Sequence, residues 1–253
     1  MTSDPRNPNT IMRFRVADWT ACGPGLETRE DWIAWPLGER NNRPDTSPAA
    51  ASLPSILRRR ISPLGQMAFR ASYALSEQRT ARFIFCSRHG EFDRTLRILH
   101  SLSAEEPTSP ADFSLSVHNA LAGLLSIAWS NTAGHTTISG GADSFAYGLL
   151  ESIACVQSGT GDSVMLVYFD DRLPQPYDEI SGDADTCVAV AILLNPPRFD
   201  DDDLRFELEP RVRAGHPLSA SQQALDFIRF MLSGERERRF AGERIKGRLQ
   251  RFA

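Results

Sequence analysis

Residues 113–171 read FSLSVHNALAGLLSIAWSNTAGHTTISGGADSFAYGLLESIACVQSGTGDSVMLVYFDD, and the fold turns on how this stretch is parsed. Leu121, Leu124, Leu125, Ile127 and Ala128 recur at helical spacing, so Asn119 to Trp129 predicts a helix that Asn131 to Gly134 end. His135 to Ser139 is short and β-branched, the pattern of a strand, and it runs into Gly140-Gly141-Ala142-Asp143. Phe145, Ala146, Leu149, Leu150 and Ile153 then return to helical spacing, with Asp143 placed to cap the helix. Gly159 and Gly161 close that helix, and Val164 to Phe169 reads as a buried strand ending at Asp170-Asp171. The unit is β-turn-α-β, with its turn at residues 140–144.

α/β proteins commonly seat a nucleophile at such a turn, because the side chain stands exposed at a strand end and the helix N-terminus favours an anion. This turn has no thiol. Cys155 lies about three turns along the predicted helix, roughly 18 Å from its start at about 1.5 Å per residue, and cannot serve there.

Four segments carry a family resemblance: Val16 to Trp32 (VADWTACGPGLETREDW), Arg58 to Leu75 (RRRISPLGQMAFRASYAL), Phe83 to Asp93 (FIFCSRHGEFD) and Ser109 to Ile127 (SPADFSLSVHNALAGLLSI). In this order the chain resembles the N-terminal half of a β-ketoacyl synthase, and most of all the short synthase-like proteins of aryl-polyene gene clusters. The resemblance implies an α/β, thiolase-like fold of half length, a single β-α-β-α-β repeat, with a C-terminal helical extension. In an active synthase the turn carries the cysteine that accepts the acyl chain. Aligned on the preceding strand that place falls on Ala142, and aligned on the strand at 164–168 it falls on Asp143; neither residue forms a thioester. The resemblance is used up by about Leu194. The second half, which brings the synthase's basic catalytic residues, is therefore not expected, and His118, His135 and His216 inherit no catalytic position.

Two functions follow. The first is a non-catalytic, chain-length-factor-like subunit that pairs with a full-length β-ketoacyl synthase and shapes its acyl tunnel, with an acyl carrier protein as an indirect partner. A half-fold with an apolar sheet needs another surface to cover it, and Thr136, Thr137, Ile138 and Ser139 supply an edge strand suited to a dimer interface. The alternative is a serine hydrolase or acyltransferase. It would use Ser144 as nucleophile in a relative of the G-x-S-x-G elbow, with Asp170 or Asp171 and then His216 downstream, although both flanking glycines are replaced.

Composition narrows the classes. A 253-residue chain with 41% hydrophobic and 24% charged residues can bury one sizeable core, and a net charge of -4 argues against nucleic acid as its partner. Cys22, Cys86, Cys155 and Cys187 are widely spaced and read as reduced core thiols; no metal or cofactor is expected. Residues 1–10 form no apolar leader, and no apolar run approaches the ~20 residues of a membrane span, so a cytoplasmic location is expected.

Residues 1–11 read as a tail, 12–208 as the synthase-like half and 209–253 as an arginine-rich helical extension. Gly38 to Ser55 reads as a loop. Arg58, Arg59 and Arg60 open the next predicted helix as a solvated face, with docking of an acidic carrier protein as the alternative that the resemblance raises.

Overall fold

The structure, a computed structural model, describes residues 11–35, 60–75, 77, 79–160, 162–181, 186–200, 203–209 and 217–252. Among these, eight strands make one sheet in the order β3-β2-β4-β5-β1-β6-β8-β7. The strands are β1 Ile11–Cys22, β2 Arg82–Cys86, β3 His135–Ile138, β4 Val164–Asp170, β5 Val188–Asn195, β6 Leu204–Leu208, β7 Glu237–Ala241 and β8 Lys246–Arg251. The α-helices are α1 Arg29–Ala34, α2 Pro63–Ala74, α3 Phe92–Ser103, α4 Pro110–Leu115, α5 Ala120–Trp129, α6 Ser144–Gln157, α7 Asp178–Ser181 and α8 Ala220–Leu232.

β3, β2 and β4 run parallel, joined by helical crossovers, whereas β5 pairs antiparallel with both β4 and β1. Every residue of β4 is buried, as expected of a strand covered on both faces and read from the sequence as a continuous apolar run. Its side chains alternate between two cores. Leu166 and Tyr168, with Ile84, Val190 and Ile192, meet Phe145, Leu149 and Ile153 of α6 and Phe227 and Ile228 of α8. Met165, Val167 and Phe169, with Phe83 and Phe85, meet Phe69 of α2 and Leu121, Leu125 and Trp129 of α5.

β1 spans both parts of the sheet. Ile11 to Phe14 pair with β6, and from Arg15 on the strand pairs with β5, with a register shift between Val16 and Asp18. This is the architecture of the expected thiolase-like half. Two expectations about its ends are corrected. The arginine-rich segment after α8 is not helical: 237–241 and 246–251 are strands, and β8 pairs with β6 within the same sheet. Nor is the apolar face of the sheet left open, because α8 lies beside α6 and Phe206, Phe240 and Leu249 complete that core.

Arg58 and Arg59 lie outside the described residues. The exposed Arg60 precedes α2, which begins at Pro63 behind a Ser62 cap whose side chain accepts from the Gly65 N–H, so the helix does not open on the arginine triplet. The predicted tail to residue 10 and the 38–55 loop also fall outside the described residues.

Candidate functional site

The turn between β3 and α6 is one turn of 3-10 helix, Gly141–Asp143. Gly141 sits at φ +63°, which an L side chain rarely adopts, and a Cβ on Gly140 would come within 2.3 Å of the Tyr147 ring. The glycine pair is thus required by the turn's shape. Ser144 opens α6 with no exposed surface, and its hydroxyl is committed to the same turn. Oγ accepts from the Gly140 N–H at 3.0 Å and donates to the Gly141 carbonyl at 2.8 Å.

Asp143 is 1% exposed. It occupies the cap position of α6, but its side chain makes no capping bond to the helix, which corrects the expected role. The carboxylate points to the opposite end of the chain. Oδ1 accepts from the Glu243 N–H at 2.9 Å and from Gln223 Nε2 at 2.9 Å; Oδ2 accepts from the Arg244 N–H at 2.6 Å and the Ile245 N–H at 3.3 Å. Three successive backbone N–H groups of the β7–β8 turn therefore form a nest around one carboxylate. Gly242 makes the approach possible, since a Cβ there would stand 2.0 Å from Asp143 Oδ1. Gln223, fully buried on α8, also donates to the Ala142 carbonyl at 2.9 Å and so ties helix, turn and hairpin together.

The two positions that the resemblance sets against the nucleophile thus carry a methyl group, at Ala142, and a carboxylate whose oxygens are occupied, at Asp143. No cysteine replaces the missing thiol: Cys155 lies near the far end of α6, and burial raises the Cys22 thiol to about 11 and the Cys86 thiol well above the usual range. All four cysteines are free.

Neither aspartate named for a serine mechanism hydrogen-bonds Ser144. Asp170 is buried at the ends of β2 and β4, where it accepts from Ser87 Oγ (3.0 Å), Arg88 N (2.6 Å), His89 N (3.2 Å) and Tyr168 Oη (3.0 Å). Burial still outweighs these donors and raises its pKa to about 6. Asp171 is exposed and accepts from the Arg172 N–H at 2.7 Å; His216 lies outside the described residues. No group of three or more His, Cys, Asp or Glu among the described residues is placed to hold a metal ion. No helix among them is long and apolar enough to cross a membrane.

The other candidate surface is β3 itself. It pairs with β2 on one side and ends the sheet on the other. Thr136 Oγ1 accepts from Arg82 Nη2 at 3.1 Å, and Ser139 Oγ donates to the Arg88 carbonyl at 3.0 Å, so these side chains brace the strand from within. His118 Nε2 lies 3.2 Å from the Ile138 carbonyl, a hydrogen-bonded structural histidine. α5 packs beside the strand, and α4, α5 and the link between them leave Phe113 66%, Val117 50% and Ile127 74% exposed. The sequence pattern does not reveal Gln223 and Glu243, Arg244 and Ile245 as partners of Asp143, nor the exposure of Ile127, whose spacing groups it with the apolar residues of α5.

The family described as "Beta-ketoacyl synthase, N-terminal domain" matches residues 32–246. Among solved structures the chain is similar, at 27% identity and a TM-score of 0.81, to a chain of the ketosynthase ApeO in complex with its chain length factor ApeC from Xenorhabdus doucetiae; 95% of this chain and 100% of that one are covered. It is also similar to a chain of the AntDE:AntF complex of a type II PKS acyl-carrier protein with its ketosynthase, at 12% identity, a TM-score of 0.69 and coverage of 96% and 100%. Against the ishigamide ketosynthase/chain length factor the values are 12%, 0.59, and coverage of 75% of this chain and 63% of that one. At 12% identity these last two establish the fold alone. No curated protein matches the chain. With residues 32–246 matched, the chain belongs to the β-ketoacyl synthase N-terminal domain family.

Proposed function

We propose that this chain is a non-catalytic, chain-length-factor-like subunit that pairs with a complete β-ketoacyl synthase in the cytoplasm and shapes the tunnel for the growing polyene acyl chain. The carrier protein delivers its load to the partner's cysteine. The observation that carries this reading is Asp143: at one of the two positions, Ala142 and Asp143, that the resemblance sets against the acyl-accepting thiol, the chain holds a buried carboxylate wrapped by the β7–β8 hairpin. A thioester needs a sulfur free to attack, and none stands there.

The pairing rests on the free edge of β3 at Thr136, Thr137 and Ile138, with Ser139 beyond it. Unpaired N–H and C=O groups at a sheet edge are a template for another strand. Phe113, Val117 and Ile127 add apolar surface beside that edge, as a stable interface requires. The similarity to a complex of a ketosynthase with its chain length factor supports the same choice of partner.

The test is co-expression with a full-length β-ketoacyl synthase. The two chains are expected to co-purify and run as one heterodimer in size-exclusion chromatography with light scattering. Elution of this chain as a monomer while the synthase forms its own dimer would overturn the proposal.

A further inference from the structure

The far end of the sheet carries an arginine surface that the pairing above does not use. Phe206, Phe240 and Leu249 turn inward to the core, so the alternate residues of the same strands face outward. Across β1, β6, β8 and β7 one such row reads Arg13, Arg205, Gln250, Glu237, each opposite the next in the ladder. Arg13 and Arg205 are thus like charges on directly opposed residues, an arrangement that destabilises an antiparallel pair.

Among the described residues neither arginine has a carboxylate partner. Arg13 lies over the Phe252 ring at 4.2 Å and the Phe199 ring at 5.6 Å, whereas Arg205 Nε is buried with no hydrogen-bond acceptor. A cavity of about 260 Å³ opens beside them, lined by Arg205, Arg236, Glu237, Gln250, Arg251 and Phe252. Arg251 spends one nitrogen on the carbonyls of Phe230 and Met231 at the end of α8, and its Nε also lacks an acceptor. The single carboxylate, Glu237, is engaged by Gln250 Nε2 at 2.8 Å and lies 3.6 Å from Arg248.

We propose that this cavity binds a phosphate monoester. Three guanidinium groups set against one carboxylate leave an excess that a doubly charged, tetrahedral oxyanion neutralises. Arginine is the side chain whose donor geometry suits phosphate oxygens. The Phe252 ring provides an apolar wall for the organic part of such a ligand. The site is independent of β3 and of the turn at 140–144, so it stands or falls apart from the subunit reading.

Isothermal titration calorimetry on the 253-residue chain tests it, with inorganic phosphate and adenosine monophosphate as probes at matched ionic strength and chloride as control. Saturable one-to-one binding of both phosphate probes is expected, with none for chloride. Arg205→Ala and Arg236→Ala should each weaken it about ten-fold, the loss of one charge-assisted hydrogen bond, and Glu237→Gln should tighten it. Adenosine monophosphate binding tighter than phosphate assigns an organic phosphomonoester; equal affinities assign free phosphate. Arg236 is exposed, so its variant folds whatever the fate of Arg205→Ala. Failure to saturate, or equal affinity in the wild type and Arg236→Ala, would overturn the proposal.

Discussion

A carboxylate taken out of water must have its lone pairs met inside the protein, and Asp143 meets them with three backbone N–H groups and an amide from elements far along the chain. Asp143→Ala leaves those donors buried and unmatched. Urea denaturation should show a loss of about 3 kcal/mol, the scale of breaking a buried charged interaction. Restoring sulfur by Asp143→Cys should cost similar stability and yield no acyl uptake, because the hairpin turn still covers the position. Asp170 supplies a pH signature with a definite sign. Burial raises its pKa from 3.8 to about 6, so the folded state holds the proton more tightly than the unfolded chain does. Its stabilising contribution is therefore fullest below about pH 4 and is lost as pH rises through 6, by about 3 kcal/mol in all. Denaturation at pH 4 and pH 7 checks this: the stability of wild type relative to Asp170→Asn should fall by most of that amount, about 2.4 kcal/mol, and a constant difference would contradict the assignment.

The β7–β8 hairpin and α8 do for this chain what isolated helix propensity would not have suggested. Their turn carries the Asp143 contacts, and Gly242 sets how closely it approaches. Gly242→Ala should lower stability by about 2 kcal/mol in urea melts, since the added methyl meets a carboxylate oxygen with no room to retreat. The central strands were legible because both faces of β4 and β5 are apolar, and α5, α6 and α8 because their apolar residues recur at helical spacing. The hairpin was harder to read. Its outward positions mix Glu237, Arg239, Lys246, Arg248 and Gln250, and only Phe240 on one strand and Gly247 and Leu249 on the other, after Ile245 in the turn, mark the inward period of two. At the site, sequence located the turn at 140–144 and the absence of the thiol. It gave Asp143 a cap's role because the true partners, Glu243 to Ile245, stand a hundred residues further along the chain, beyond any local pattern.

At the scale of the whole molecule, the chain covers its own apolar sheet, with α2 and α5 on one face and α6 and α8 on the other. In the proposed pairing the partner meets the β3 edge and the exposed Phe113, Val117 and Ile127. Ile127→Asp should leave the melting temperature of the isolated chain within about 1 °C, as exposed substitutions do, yet abolish co-purification with the synthase. Retained pairing would move the interface elsewhere. The most direct measurement is intact-protein mass spectrometry of the co-purified pair after incubation with an acyl-loaded carrier protein. The acyl mass is predicted on the synthase chain and not on this one; an acyl adduct on this chain would contradict the account.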